Sequence, residues 1–208
     1  MDTLPALLKG LIIGFSIAAP VGPIGLLCIR RTLADGPAPG FVSGLGAASA
    51  DAVYGAIAGF GVALVTDALI GAQVALKLVG GVMLLWLGWS TLRARPAERP
   101  ADARGGAGLA GAYASTFALT LANPATILSF AAVFGGLGVS AAGDGNSTGV
   151  AALLVAGVFA GSALWWLGLS ASVGAFRRRV TPAAMLWINR ASGAVLGGFG
   201  IAALASLL

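Results

Sequence analysis

The sequence of 208 residues contains no histidine, only one cysteine and few charged residues. Cys28 alone cannot form an internal disulfide, a Cys-x-x-Cys redox pair or a cysteine-based metal site. Only 9% of the residues are charged, whereas a soluble domain averages about 25%. Because 58% of the residues are hydrophobic, the composition predicts an all-α membrane protein with several spans.

Residue patterns that carry enzymatic chemistry are also missing. The sequence has no Walker loop, no carboxylate pair within one apolar segment and no metal-binding cluster. We therefore expect no enzyme activity, no cofactor and no bound metal. The net charge of +5 would suggest a nucleic-acid partner in a soluble chain. Here the basic residues gather in loops on one side of a membrane, so we expect the lipid bilayer and no nucleic acid.

Six apolar segments follow one another along the chain, at 4–29, 41–65, 68–92, 109–139, 149–176 and 184–208. The first exceeds the ~20 residues that a straight span needs. We expect Arg30 and Arg31 to end this segment and 35–40 to form a loop. The polar stretch 93–108 reads as a cytoplasmic linker.

The two halves of the chain resemble each other. Residues 48–61 align with 161–174, and Pro20 corresponds to Pro124. In segments three and six, Gly81, Leu84 and Gly88 match Gly193, Leu196 and Gly200. Chance matches between common Ala and Gly residues are the alternative. Three segments per half must insert in opposite orientations, which predicts two inverted repeats, 1–92 and 109–208, in a single transmembrane domain.

Pro20, Gly22 and Pro23 interrupt the first segment, and Pro124 interrupts the fourth. Each proline lacks an N–H and crowds the carbonyl four residues earlier, so both segments should be broken. At membrane depth, freed backbone groups are tolerated only where protein or a water-filled cavity satisfies them. Paired breaks therefore point to a transporter's binding site, and a kink that only shapes packing is the alternative.

The charged side chains of Asp51 and Lys77 lie inside predicted spans. Asp51 is near the middle of segment two, where a carboxylate costs about 2.5–3.5 kcal/mol on insertion scales. It could hold a substrate ammonium group, exchange a coupling proton, or make a structural hydrogen bond to another segment. Lys77 could contact a substrate carboxylate or extend to the membrane surface.

Further candidates are uncharged. Thr116, Thr120 and Asn123 share one face of segment four and lead to Pro124, so they could line a water-accessible path or bond to a neighbouring helix. Trp165 and Trp166 lie well inside segment five. They could form a hydrophobic gate or simply pack.

The stretches 20–33, 40–51 and 77–88, together with Asn123-Pro124, resemble the LysE/RhtB family of bacterial amino-acid exporters. The resemblance implies a six-helix secondary transporter of the bacterial inner membrane that works as a homodimer. The matching site positions are Pro20, Gly22, Pro23, Asp51, Lys77, Asn123 and Pro124. Many relatives have a basic residue after Asn-Pro, where this chain has Ala125.

We therefore expect a secondary active transporter that exports an amino acid or a close derivative, with proton exchange as its energy source. The sequence leaves three alternatives open. One is an inorganic-cation exporter of the same architecture, which would need several oxygen ligands. Another is an electron relay, which would need paired cysteines. The third is a non-transporting assembly or anchor protein.

Membrane orientation follows from the arginines. They cluster in the loops after segments one, three and five, and the loops after segments two and four have none. By the positive-inside rule, the basic loops are cytoplasmic and both termini face outward.

A C-terminal alkaline-phosphatase fusion should therefore be active. An inactive fusion, with an active one in the linker 93–108, would reverse the assignment.

Overall fold

The computed structural model describes residues 3–20, 22–60, 72–93, 108–123, 126–127, 129–130 and 147–207. Within these ranges the protein contains seven α-helices and no strand. They are α1 Thr3–Ala18, α2 Pro23–Asp35, α3 Pro37–Gly59, α4 Gln73–Leu92, α5 Gly108–Leu121, α6 Ser147–Phe176 and α7 Pro182–Ala205. The all-α fold class is thereby confirmed.

The first apolar segment consists of two helices, α1 and α2, bent by 81°. α1 ends at Ala18 and α2 begins at Pro23, so the expected break at the Pro-Gly motif is present. Pro23 suits the first helical position, because its missing N–H would have no intrahelical acceptor there. Gly22 before it is extended, and its carbonyl accepts from the Leu26 amide at 3.0 Å.

The predicted end of this segment at Arg30 and Arg31 was wrong. α2 continues through both arginines to Asp35, because their guanidinium groups find acceptors on neighbouring helices. The predicted loop 35–40 was wrong as well. Gly36 alone separates α2 from α3, with a φ of 111° that favours glycine, and Pro37 starts the next helix.

Helix packing places α6 and α3 at the centre of the bundle. α1 packs along α6, α3 lies between α5 and α6, and α4 pairs with α7. α2 leans on α3 and also contacts α6 and α7. The half-helix after the break is therefore in contact with both halves of the chain.

Among the described residues, three helices, α3, α6 and α7, are long and apolar enough to cross a membrane, and the bent pair α1–α2 could be a fourth span. α4 and α5 are apolar but shorter over Lys77–Leu92 and Gly108–Leu121. The predicted third and fourth segments extend into residues outside the described ranges, as does most of the linker. A multi-pass membrane protein is the architecture that these helices support.

Glycines allow the closest helix contacts. A Cβ added at Gly161 of α6 would clash with the backbone carbonyl of Leu11 in α1. In the α4–α7 pair, a Cβ at Gly88 would lie 2.9 Å from the Gly193 oxygen, and one at Gly200 would lie 2.9 Å from the Gly81 oxygen. Small residues at these positions let backbones approach where lipid provides no hydrophobic drive for association.

Gly161→Ala should destabilise the protein by about 1–3 kcal/mol, because the new methyl group has to displace the α1 backbone. Gly168→Ala is the matched control in the same helix, since a Cβ there meets nothing within 4 Å. Thermal unfolding in detergent measures both variants. Equal unfolding midpoints would contradict the packing described for α1 and α6.

Candidate functional site

Two cavities adjoin the break between α1 and α2. Both are lined by Pro20, Gly22, Pro23 and Asn123. One has a volume of about 80 Å³ and the other about 440 Å³. The larger falls within the ~300–1,000 Å³ usual for small-molecule sites, whereas the smaller has room for only a few atoms. The residues of the break thus line both a small and a large space.

The small cavity contains the buried Asp51 of α3, together with Thr120 and Trp166. Ser162 of α6 donates its hydroxyl hydrogen to Oδ2 of Asp51 at 2.8 Å. The Ser162 oxygen accepts in turn from Nε1 of Trp166 at 3.2 Å. All three side chains are buried, so this chain of hydrogen bonds fixes the carboxylate at the centre of the bundle.

Two sequence-based alternatives are therefore both present in the geometry. Asp51 makes the structural hydrogen bond to another segment, and it also lines a cavity. Trp166 combines packing with a hydrogen bond beside that cavity. Trp165 packs edge-on against Phe15 of α1, with ring centroids 5.3 Å apart.

The large cavity extends from the break to residues of α4 and α7. Lys77 lines it together with the apolar side chains of Leu84, Leu119 and Phe199. Among the described lining residues of the two cavities, Lys77 is the only basic side chain and Asp51 the only acidic one. The two cavities that meet at the break thus carry side chains of opposite charge.

The polar face of α5 is divided between two uses. Thr120 lines the small cavity, and its hydroxyl donates to the Thr116 carbonyl at 2.8 Å. Thr116 lies one turn earlier and accepts instead from Arg31 at 3.1 Å. Asn123 lines both cavities, and its backbone N–H donates to the Thr120 backbone carbonyl at 3.1 Å. Pro124 lies outside the described residues.

α5 ends at Leu121, and residues 126–127 and 129–130 are helical again. The hydroxyl of Tyr54 in α3 donates to the Leu121 carbonyl and so satisfies one backbone group at this helix end. The Thr126 amide donates to the Asn123 carbonyl at 3.1 Å. Tyr54 is one turn from Asp51, so α3 supplies side chains both to the small cavity and to this helix end.

Sequence reasoning did not assign functional importance to Ser162, Tyr54 or Arg31. Ser162 carried a usable signal, because it aligns with Ser49 in the repeat and is a polar residue within an apolar segment. Tyr54 and Arg31 gave none, since their acceptors lie 67 or more residues away along the chain, apart from Ser43.

Comparison with known proteins identifies the family. The family model described as "LysE type translocator" matches residues 15–207. The chain belongs to the LysE-type translocator family. It is 25% identical over 196 residues to a Bacillus subtilis (strain 168) protein named "Putative amino acid efflux protein YcgF", which covers 93% of this chain and 92% of the relative. No solved structure gives a significant match.

Membership confirms the resemblance drawn from the motifs. At family level this LysE-type chain is a translocator, a membrane transporter and not an enzyme. Its apolar helices and the interrupted first segment fit that class.

Ser162→Ala should destabilise the translocator by about 1–3 kcal/mol, because it leaves the Asp51 oxygen and the Trp166 N–H buried without their partner. Ser170→Ala is the control in the same helix, because the buried Ser170 hydroxyl has no hydrogen-bond partner within the described residues. Thermal unfolding in detergent should separate the two variants. An equally small loss in both would mean that the Asp51–Ser162 bond contributes little.

Proposed function

We propose that this translocator is a secondary active exporter of an amino acid or a close derivative across the bacterial inner membrane, driven by proton exchange. The family and the name of the Bacillus relative support amino-acid export. The observation that carries the proposal is that Asp51 and Lys77 line the two cavities that adjoin the broken helix. An amino acid has one ammonium and one carboxylate group, which match these two opposite charges.

In this proposal the substrate ammonium group binds Asp51. The carboxylate faces Lys77 and the beginning of α2, where the first amides have no intrahelical acceptor and the helix dipole favours an anion. The break supplies this helix end through Pro20, Gly22 and Pro23. Thr120 and Asn123 provide the polar side of the site from the fourth segment, which in this proposal is broken at Pro124.

Proton coupling is assigned to Asp51. A carboxylate oxygen that holds a proton cannot also form an ion pair with an ammonium group, so proton and substrate compete for the same residue. Exchange follows when the proton enters as the zwitterion leaves. The net movement is one positive charge inward, which gains about 2.3 kcal/mol per 100 mV of membrane potential.

We further propose six spans in two inverted repeats, 1–92 and 109–208, with both termini outside, and the homodimer that the family resemblance implies. The sequence alignment shifts segment three onto segment six by 112 positions. Under that shift Gly81 corresponds to Gly193, and Gly88 corresponds to Gly200. The close contact of Gly81 with Gly200 is thereby equivalent to that of Gly193 with Gly88, as an internal two-fold axis requires. The packing of α1 on α6 corresponds in the same way to that of α5 on α3.

Efflux from right-side-out vesicles tests the proposal. After preloading with a labelled amino-acid mixture, at least one amino acid should leave faster than from vesicles without the translocator. Asp51→Asn should lower that efflux at least about tenfold, since a hydrogen bond to a charged group is worth about 1.5–3 kcal/mol. Asp144→Asn, in a stretch that the sequence predicts to be a loop, is the matched control.

Each arm has an opposing outcome. If every amino acid leaves at the background rate, the exporter assignment is wrong, and the result favours a non-transporting assembly protein. Full efflux by a folded Asp51→Asn variant would remove Asp51 from the mechanism. Efflux that persists unchanged when the proton gradient is collapsed would rule out proton exchange.

A further inference from the structure

Arg31, near the end of α2, joins three helices through one guanidinium group. Its Nη1 donates to the Ser43 hydroxyl of α3 at 2.8 Å, and to the Ala112 carbonyl and Thr116 hydroxyl of α5 at 2.9 and 3.1 Å. Its Nη2 donates to the Ser115 hydroxyl at 2.9 Å. The half-helix α2 is therefore tied to both α3 and α5 at this level.

All four acceptors are uncharged. Asp35, one turn further along α2, influences Arg31 electrostatically but makes no hydrogen bond with it in the described part of the chain. Within the described residues, Nε of Arg31 has no hydrogen-bond acceptor, and Nη2 has a single acceptor, the Ser115 hydroxyl. The Nε–Nη2 edge, which binds carboxylates side-on through two parallel bonds, is thus largely unused.

The guanidinium group of Arg31 lies close to the small cavity. Along α3, Ser43 is one turn from Ala47, which lines the cavity, and along α5 Thr116 is one turn from Thr120. One turn corresponds to about 6 Å along a helix axis. Between the two levels lies Cys28 of α2, fully buried against Ala47 and Trp166.

We infer that Arg31 is a carboxylate-binding residue on the inner side of the export path, distinct from the two cavities. The inference rests on the proposed function, which brings amino acids to this end of α2 from the cytoplasm. A substrate carboxylate on the Nε–Nη2 edge forms charge-assisted bonds, which are stronger than those to neutral hydroxyls. It therefore displaces Ser115 from Nη2 and draws the guanidinium group away from Ser43 and Thr116, which loosens α2 from α3 and α5.

Cys28 can be labelled to follow this step, because it is the only cysteine of the chain and its side chain in α2 packs against Ala47 of α3. Vesicles of both orientations are treated with a membrane-impermeant maleimide, and the labelled fraction of the purified protein is measured by intact mass. We expect slow labelling in the wild type. A mixture of amino acids with uncharged side chains should raise the labelling rate about tenfold from the cytoplasmic face. The same amino acids with their carboxyl groups converted to primary amides should not.

Variants separate binding from general loosening. Arg31→Met should label about tenfold faster without ligand and should not respond to the mixture. Arg31→Lys keeps the charge but lacks the planar fork, so its response should need about tenfold more ligand. Arg179→Met, which removes an exposed cation at the end of the 3₁₀ turn Arg177–Arg179, is the control and should behave as the wild type.

If Arg31→Met does not fold, Ser115→Ala still tests the idea. It keeps the guanidinium and frees Nη2, so the carboxylate response should persist at no higher ligand concentration than in the wild type. Equal responses to acids and amides, or a response that survives in Arg31→Met, would overturn the assignment. Vesicles that show the labelling response but no amino-acid efflux would contradict the proposed function and leave the Arg31 site standing.

Discussion

The structure depends on one requirement of the hydrocarbon environment, that a helix broken at membrane depth must have its free backbone groups satisfied by protein. Pro20 and Pro23 make the first segment bend by 81°, so two helix ends lie within the bundle. Two cavities adjoin this break, and a donor from α3, the Tyr54 hydroxyl, satisfies a backbone carbonyl at the end of α5. The candidate site therefore lies where the helix is interrupted.

The short helix α2 compensates for the break by anchoring its far end. Arg30 donates to the Asn189 side chain of α7 at 3.1 Å, and Arg31 bonds to α3 and α5. Arg177 donates from Nε and Nη2 to the Leu33 and Ala34 carbonyls, which the end of the helix leaves without intrahelical partners. The arginines that predict membrane orientation thus also anchor the half-helix α2 to its neighbours.

Sequence alone predicted the helical class, the break at the Pro-Gly motif and the inward position of Asp51, because each follows from local chemistry in lipid. It placed the end of α2 wrongly, since arginines normally stop a span and their acceptors on distant helices cannot be read from spacing. It also missed Ser162, whose role exists only when α3 and α6 are packed. What local chemistry dictates was predictable, and what long-range pairing dictates was not.

The proposed inverted repeat makes the differences between the two halves informative. A shift of 112 positions relates Leu84 and Phe199, which line the large cavity, to Leu196 and Leu87. Leu196 and Leu87 are buried in one cluster with Leu27 of α2, and Leu84 belongs to the same cluster. The difference between the halves therefore lies in the other pair, because Phe199 is 46% exposed and its counterpart Leu87 only 5%. In the proposed repeat, a more open position in one half and a filled one in the other is the kind of asymmetry that alternating access between equivalent halves would use.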